Sequence, residues 1–328
     1  MVLAQVGDPD PRPARVGDLD PGEVRRRLRG PGLRWASGPF HIHLHAPVPE
    51  LERPLLTLYG SHPLLSPPWE EIADFHIRLD RGRGLRRWYR PQVFFRASGS
   101  TFFSILAPFP LDHAFPLFEW GLNLCIAARA NQFLILHSGV MARGDQAVLL
   151  SGTPGSGKST LCAALALRGW RLLSDEFALL RPADGRLQPV VRPVALKNAS
   201  IPVIRAFAPG AVLGPVYPNT RKGTVTHLQP SPASVAAALE TARPLAMISP
   251  RFQAGAALAW HSLSPRDGFI HLARNAFNYE VQGAQGFRAI RRLVAECALL
   301  ELTYGDLEEA VTAIDARMSA LAAGGRAA

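Results

Sequence analysis

Apolar and polar residues alternate along several short segments in the first third of the chain. Phe40, Ile42 and Leu44 occupy every second position of one such segment. Period-two alternation predicts β-strands that are half buried. The segments that we interpret as β in this way are 38–60, 74–80 and 85–105. They predict a small, mostly β N-terminal domain over residues 36–112.

The apolar pattern changes further along the chain. Residues 113–130 have the apolar spacing of a helix, whereas several later segments are short, continuous apolar runs typical of buried strands. These runs are 133–137, 147–150, 171–174 and 177–180, with a helix predicted over 158–168. Residues 287–321 are predicted to form two helices that break near Tyr304 and Gly305. We therefore predict an α/β fold, with its larger domain over residues 113–325.

The start of the chain differs from both regions. Residues 1–35 are rich in Pro, Gly, Asp and Arg, which predicts a flexible lead-in with one short helix from Pro21. No apolar stretch there suits a signal peptide, and no run in the chain reaches the roughly 18–20 residues of a membrane span. The three cysteines are widely separated and odd in number, which is typical of a reducing compartment. We expect a cytoplasmic protein without a membrane partner.

The charge of the chain is strongly biased towards arginine. The net charge is +10, and of the 36 basic residues only Lys158, Lys197 and Lys222 are lysines, which leaves 33 arginines. Such a charge can indicate a nucleic-acid partner, but compositional bias explains it equally well. Under that bias, lysine should persist mainly where the arginine fork cannot replace a compact ammonium. The three lysines are therefore candidate functional residues, with chance survival as the alternative.

The clearest motif is Gly152-Thr-Pro-Gly-Ser-Gly157-Lys158-Ser159, which matches GxxxxGK[ST] between a predicted strand and a predicted helix. Glycines in such a loop let backbone N–H groups converge on phosphate oxygens, and the following helix adds its positive dipole end. Lys158 would reach the β- and γ-phosphates, and the Ser159 hydroxyl would bind Mg²⁺. The predicted nucleotide-binding residues are Gly152, Thr153, Pro154, Gly155, Ser156, Gly157, Lys158, Ser159 and Thr160.

A pair of acidic residues follows the next predicted strand. Asp175 lies 17 residues after Lys158 and is followed directly by Glu176. Two adjacent carboxylates at a strand end point in different directions, so that one can accept a hydroxyl proton while the other holds Mg²⁺. The alternative is a solvated acidic turn between two strands.

These elements together resemble HPr kinase/phosphorylase, and more specifically the HPr-kinase-related kinase A group. The blocks that carry the resemblance, over about residues 38–315, are His137-Ser-Gly-Val140, Phe118-Glu-Trp-Gly-Leu-Asn123, Arg168-Gly-Trp-Arg-Leu-Leu-Ser-Asp-Glu176, Arg192-Pro-Val-Ala-Leu-Lys-Asn-Ala-Ser-Ile201 and Lys222-Gly-Thr-Val-Thr-His227. The resemblance implies a P-loop kinase core of the HPr kinase and phosphoenolpyruvate-carboxykinase type. By it, Asp175 matches the catalytic acid/base, Glu176 the Mg²⁺-binding acid, and His137 an active-site histidine near the transferred phosphate.

The chain also departs from that family. HPr kinase/phosphorylase has Asp-Asp where this chain has Asp175-Glu176, and Ala195-Leu-Lys-Asn198 stands where its EIRG signature would be. The resemblance associates that signature with the reverse phosphorylase reaction and with binding of the protein substrate. Neither property is therefore expected here on the strength of the resemblance.

Lys197 and Lys222 both precede small residues, which would let the chain approach a ligand closely. Phosphoryl transfer needs cations around the equatorial oxygens of the transferred group. We predict that these two lysines supply them and join Asp175, His137 and Lys158 as catalytic residues. The alternative is that both are surface lysines in loops.

The function predicted from these features is transfer of the ATP γ-phosphate, with Mg²⁺, to a hydroxyl, and the predicted acceptor is Ser or Thr of a small protein or peptide. The alternative is a P-loop NTPase that drives binding or assembly, with nucleic acid as a disfavoured partner. No downstream apolar strand ends in a second acidic pair, which favours transfer over a motor-type NTPase. The acceptor, the choice of ATP over GTP or pyrophosphate, and homo-oligomerisation stay open.

Two further features are discounted. His41, His43 and His45 share one strand face, but neighbours on a face are roughly 7 Å apart, which is awkward for a single zinc ion. The segment from Arg81 to Arg90 mixes arginines with aromatic residues, as nucleic-acid or acidic-protein partners favour. We interpret the first as a polar strand face and the second as a solvated arginine-rich surface.

Overall fold

The computed structural model describes residues 14–65, 73–82, 84–98, 106–153 and 155–324. These residues have a mixed α/β fold built on three sheets. No helix among the described residues is both long enough and apolar enough to cross a membrane. Pro154 of the predicted nucleotide-binding set lies outside the described residues, as do residues 1–13 of the predicted lead-in and 99–105 of a predicted strand region.

The secondary structure of the described residues runs as follows. The α-helices are α1 (Pro21–Arg29), α2 (Glu52–Leu58), α3 (Ala114–Arg129), α4 (Lys158–Leu167), α5 (Ser200–Phe207), α6 (Pro232–Ala236), α7 (Pro265–Arg274), α8 (Tyr279–Glu296) and α9 (Leu307–Ala322). The strands are β1 (Leu33–Ser37), β2 (Phe40–His45), β3 (Phe75–Arg81), β4 (Gln92–Ala97), β5 (Phe109–Pro110), β6 (Leu134–Arg143), β7 (Gln146–Ser151), β8 (Arg171–Ser174), β9 (Phe177–Leu180), β10 (Leu187–Gln188), β11 (Val194–Lys197), β12 (Tyr217–Thr220), β13 (Gly223–Leu228), β14 (Arg243–Phe252), β15 (Ala259–Ser262) and β16 (Ala298–Tyr304).

The first sheet has the order β1-β2-β3-β4-β5. In β2 the predicted alternation is confirmed, because Phe40, Ile42 and Leu44 are buried between half-buried histidines. The predicted helix after this region is also confirmed as α3, whose Phe118 packs in one core with Trp35 of β1. That core continues into the second sheet through residues of β6 and β9.

Two expectations for the N-terminal region are wrong. Residues 52–58, predicted as β, form α2, which places Leu55 and Leu58 on one buried helical stripe. Residues 14–35, predicted as a flexible lead-in, pack into the fold and include most of β1, although the short helix predicted from Pro21 is confirmed as α1. They are held in place because Val24 and Leu28 of α1 are completely or almost completely buried.

The second sheet has the order β10-β9-β6-β7-β14-β16-β15, and β8 also pairs with β6. The strands β7, β14 and β16 are parallel neighbours. Their carboxyl ends therefore lie at one edge of the sheet, at Ser151, Phe252 and Tyr304. This edge positions the loop 152–157, which we call the glycine-rich loop.

The predicted pair of helices over residues 287–321 is wrong in its middle, where β16 lies between α8 and α9. β16 alternates buried and partly buried residues from Leu300 to Tyr304. Five alternating residues next to a helical pattern are too short a window to distinguish a strand from a helix. The predicted break near Tyr304 is the end of this strand.

The third sheet is small and antiparallel, with the order β11-β13-β12. It carries Lys197 at the end of β11 and Lys222 in the turn between β12 and β13. The helix α5 follows β11 and is not among the helices predicted from the sequence. Two candidate lysines far apart in sequence are thus brought together by one hairpin and its neighbouring strand.

We expect Gly139→Ala to destabilise the protein by about 1–3 kcal/mol, because overpacking of an interior has that cost. A Cβ atom at Gly139 of β6 would lie 2.2 Å from the Cys162 Sγ of α4. Urea unfolding of Gly139→Ala, Cys162→Ala and the double variant measures the coupling between the two positions. Gly210→Ala is the control, since a Cβ there meets open space. If the changes in unfolding free energy of the two single variants simply add up in the double variant, Gly139 and Cys162 are not in contact.

Candidate functional site

The glycine-rich loop connects β7 to α4. Gly155 and Gly157 have φ values of +86° and +95°, in the left-handed region that favours glycine. A Cβ atom at Gly157 would also lie only 2.5 Å from the hydroxyl oxygen of Tyr304. Both glycines are therefore required by the backbone path of the loop.

Lys158 begins α4 and is only 8% exposed. Its ammonium donates to the carbonyl oxygen of Gly152 and lies 3.5 Å from that of Thr153, so the side chain folds back over the loop. Burial lowers the pKa of Lys158, while the Glu176 carboxylate opposes this shift. The lysine is therefore within electrostatic reach of the acidic pair.

The acidic pair lies between β8 and β9, which pair with the same strand β6. Asp175 is 6% exposed, and its Oδ2 accepts a hydrogen bond from the Ala195 N–H at 2.8 Å. Burial in the first place, and the neighbouring Glu176 in the second, raise the pKa of Asp175 to about 6. The Ser174 hydroxyl oxygen accepts the N–H of Phe177 at 3.0 Å, which closes the turn around the pair. The predicted solvated acidic turn is thus a poor description of Asp175.

His137 of β6 is the register partner of Phe177, directly after the acidic pair. Its Nδ1 lies 3.9 Å from Glu176 Oε1. Burial lowers the pKa of His137, and the Glu176 carboxylate acts in the opposite direction. The structure therefore places the predicted histidine beside the predicted metal-binding acid.

The segments that carry Lys197 and Lys222 are linked through Asn198, which follows Lys197 and has a φ of +49°. The Asn198 Oδ1 accepts the Thr224 N–H at 3.0 Å, and its Nδ2 donates to the Lys222 carbonyl oxygen at 3.5 Å. The Lys222 Nζ lies 4.4 Å from the ring centroid of Trp120. Burial lowers the pKa of Lys222, and the nearby Lys197 lowers it further.

One pocket brings many of these side chains together. Residues from β5, α3, the acidic pair and the third sheet contribute to its walls. They include Phe109, Glu119, Trp120, Asn123, Asp175, Glu176, Arg192, Lys197, Lys222 and His227. Four of the predicted site residues thus line a common space. His137 and Lys158 are not among its lining residues, but both interact with Glu176.

The sequence interpretation missed a buried polar group on the opposite wall. The Arg192 Nη1 lies 3.5 Å from Glu119 Oε2, and its Nη2 donates to the Asn123 Oδ1. The Tyr59 hydroxyl donates to Glu119 Oε1 at 2.6 Å. Burial raises the pKa of Glu119 to about 7, while Arg192 opposes it. The signal available in the sequence was Glu119, a charged residue within the apolar segment of α3. Because carboxylates are rarely buried without a partner, a buried Glu119 implies a buried cation beside it.

Outside this site, the histidines of β2 do not form a metal centre with the described residues. His43 Nδ1 lies 3.0 Å from His76 Nδ1, and its Nε2 lies 2.8 Å from the Pro31 carbonyl oxygen. Within the ranges that the structure describes, no three His, Cys, Asp or Glu side chains are grouped so that they could hold a metal ion. A magnesium site that draws part of its ligands from a bound nucleotide needs fewer protein side chains than this.

Comparison with protein-family models gave no match to the chain, and a search of curated proteins gave none either. The functional interpretation therefore depends on the residues of the site and on their geometry. The strongest features are the glycine-rich loop, the buried acid beside it, and the two lysines across the pocket.

We expect His227 to make the stability of the protein sensitive to acid. It is 3% exposed, and burial above all lowers its pKa to about 3. Below pH 6.5 the unfolded chain binds a proton at this side chain that the folded state excludes, so the free energy of unfolding falls. Between pH 7 and pH 5 this loss is about 2 kcal/mol, at about 1.4 kcal/mol per pKa unit.

Urea unfolding of the wild type, His227→Phe and His261→Phe at pH 7 and pH 5 measures this contribution. His261 is exposed, so its variant should retain the pH dependence of the wild type. His227→Phe should show a smaller loss between the two pH values. An unchanged loss in His227→Phe would contradict the assignment.

Proposed function

We propose that the protein is a Mg²⁺-dependent kinase with a P-loop core similar to that of HPr kinase/phosphorylase. It would transfer the γ-phosphate of ATP to a hydroxyl group, with Ser or Thr of a small protein or peptide as the acceptor. The observation that carries this proposal is the pocket in which Asp175 and Glu176 face Lys197 and Lys222.

The glycine-rich loop would bind the phosphates of the nucleotide. The positive φ values of Gly155 and Gly157 are those of a loop that turns successive N–H groups towards an anion. The Lys158 ammonium already lies over this loop, on the carbonyl oxygen of Gly152. On binding, it would exchange that carbonyl oxygen for the β- and γ-phosphate oxygens.

The residues present fit a magnesium ion. Mg²⁺ prefers hard oxygen ligands and is usually held by one or two protein groups together with phosphates and water. The Glu176 carboxylate and the Ser159 hydroxyl, on the first turn of α4, provide such ligands. When bound, the ion would neutralise part of the charge on the phosphate oxygens.

Asp175 would act as the general base. The hydrogen bond from Ala195 N–H to its Oδ2 holds the carboxylate in one orientation. A raised pKa of about 6 leaves Asp175 ionised at pH 7 while making it a stronger base than an exposed aspartate. It would accept the hydroxyl proton as the new O–P bond forms and the bond to the leaving diphosphate breaks.

Lys197 and Lys222 would stabilise the charge on the transferred group. Both line the pocket of the acidic pair, and the Trp120 ring holds the Lys222 ammonium at its face. The acceptor would enter on the same side, along Phe109 and Trp120. The N-terminal region would then take part in selecting the acceptor.

Transfer can be tested with purified protein, Mg²⁺, ATP labelled at the γ-phosphate, and the products of neighbouring genes. We expect one of these products to become labelled by the wild type. Asp175→Asn should retain affinity for Mg²⁺-ATP but lose transfer, because the base is removed. Lys158→Ala should lose nucleotide binding. Release of labelled phosphate with no labelled product would instead support the NTPase alternative, and Asp175→Asn with normal transfer would refute the assignment of the base.

We expect Lys197→Arg and Lys222→Arg each to slow transfer at least tenfold, about 1.4 kcal/mol of barrier. The charge is preserved, but a guanidinium fork is broader than an ammonium and would crowd the buried pocket. Single-turnover transfer at saturating ATP measures the effect. Arg205→Lys, at an exposed position of α5, is the matched control and should have the wild-type rate. Wild-type rates in both lysine variants would show that the lysines are not part of the transfer site.

A further inference from the structure

The end of β14 runs alongside the glycine-rich loop. The Phe252 N–H donates to the Ser156 carbonyl oxygen at 3.2 Å, so the two segments are joined by a backbone hydrogen bond. A Cβ atom at Gly152 would lie 3.7 Å from Pro250, and one at Gly157 would lie 3.3 Å from the Phe252 Cβ. The end of this strand therefore lies beside both ends of the loop, at Gly152 and at Ser156 and Gly157.

The Phe252 side chain has an unusual environment for an aromatic residue. It is 51% exposed, although it lies at the end of a central strand of the sheet. Its ring packs edge to face against Tyr304, with centroids 5.6 Å apart, and Tyr304 is only 1% exposed. The ring is thus fixed from one side while much of its surface faces solvent beside the loop.

The order of strands shows on which side of the loop this ring lies. The glycine-rich loop follows β7, whose neighbours in the sheet are β6 and β14. The β6 side carries His137 and the acidic pair, where the γ-phosphate would be transferred. A nucleotide with its phosphates in the loop would then extend its nucleoside in the other direction, towards β14 and β16.

We propose that Phe252 is the stacking platform for the base of a nucleoside triphosphate bound at the glycine-rich loop. This inference rests on the proposed nucleotide site but not on the identity of the acceptor. Stacking of a base on an aromatic ring contributes about 1–3 kcal/mol and tolerates different bases, because every base has a π face. ATP and GTP should therefore depend on Phe252 to a similar extent, whereas a ligand without a base should not depend on it.

The test compares dissociation constants for Mg²⁺-ATP, Mg²⁺-GTP and Mg²⁺-tripolyphosphate, measured by calorimetry on the wild type and on Phe252 variants. We expect Phe252→Ala and Phe252→Leu to weaken binding of both nucleotides by about 5–150-fold, the range that follows from the stacking energy. Tripolyphosphate should bind all variants equally. Phe252→Leu keeps an apolar contact with Tyr304, and Phe252→Trp should restore nucleotide affinity because it restores a π face. Phe287→Ala, at a 48% exposed Phe of α8, is the control and should bind as the wild type does.

Nucleotide affinity unchanged in Phe252→Ala and Phe252→Leu would overturn the inference. So would an equal loss of tripolyphosphate affinity, since that would show that Phe252 only supports the loop. The failure of the proposed function is distinct, because it appears in the wild type. A wild type that binds neither nucleotide nor tripolyphosphate would refute the nucleotide site, and the stacking platform with it.

Discussion

The pairing of β6 is the constraint on which the rest of the candidate site depends. This long strand pairs with β7 on one side and with both β8 and β9 on the other. β8 and β9 both pair with β6, so the two residues between them lie opposite Gly139 and Ser138. These two residues are not part of either strand. Asp175 and Glu176 are thereby fixed beside the loop that follows β7, with His137 at the next register position.

Burial of charge at this edge has a considerable energetic cost. Asp175, Lys158, Glu119 and Arg192 are all less than 9% exposed. Desolvation of an ionised group costs several kcal/mol unless partners compensate. Here the partners lie on different segments of the chain, since Arg192 joins Glu119 of α3 and Asp175 accepts from Ala195. Perturbed pKa values that cluster in a pocket are typical of functional sites, although ion-pair networks can produce them too.

The sequence predicted features that depend on residues close together in the chain. It did not predict features that depend on contacts between distant segments. The loop around Gly155 and Gly157, and the acidic pair after the next strand, follow from residue types at fixed spacing. The role of Arg192 could not be read in this way, because one arginine among 33 is distinguished only by its burial. β16 was mistaken for helix because its alternation, from Leu300 to Tyr304, spans only five residues. α2 was mistaken for strand because seven residues give too short a window for the helical period.

The core that contains Trp35 and Phe118 also contains Ile135 of β6 and Phe177 of β9. The N-terminal sheet and the strands of the site thus share one interior, and Phe109 of β5 and Trp120 of α3 contribute both to that interior and to the pocket. Recombination that exchanged the N-terminal region would alter the wall of the pocket and the packing of the interior in the same event. Changes in recognition at this wall would therefore arise more readily by gradual substitution than by shuffling of modules.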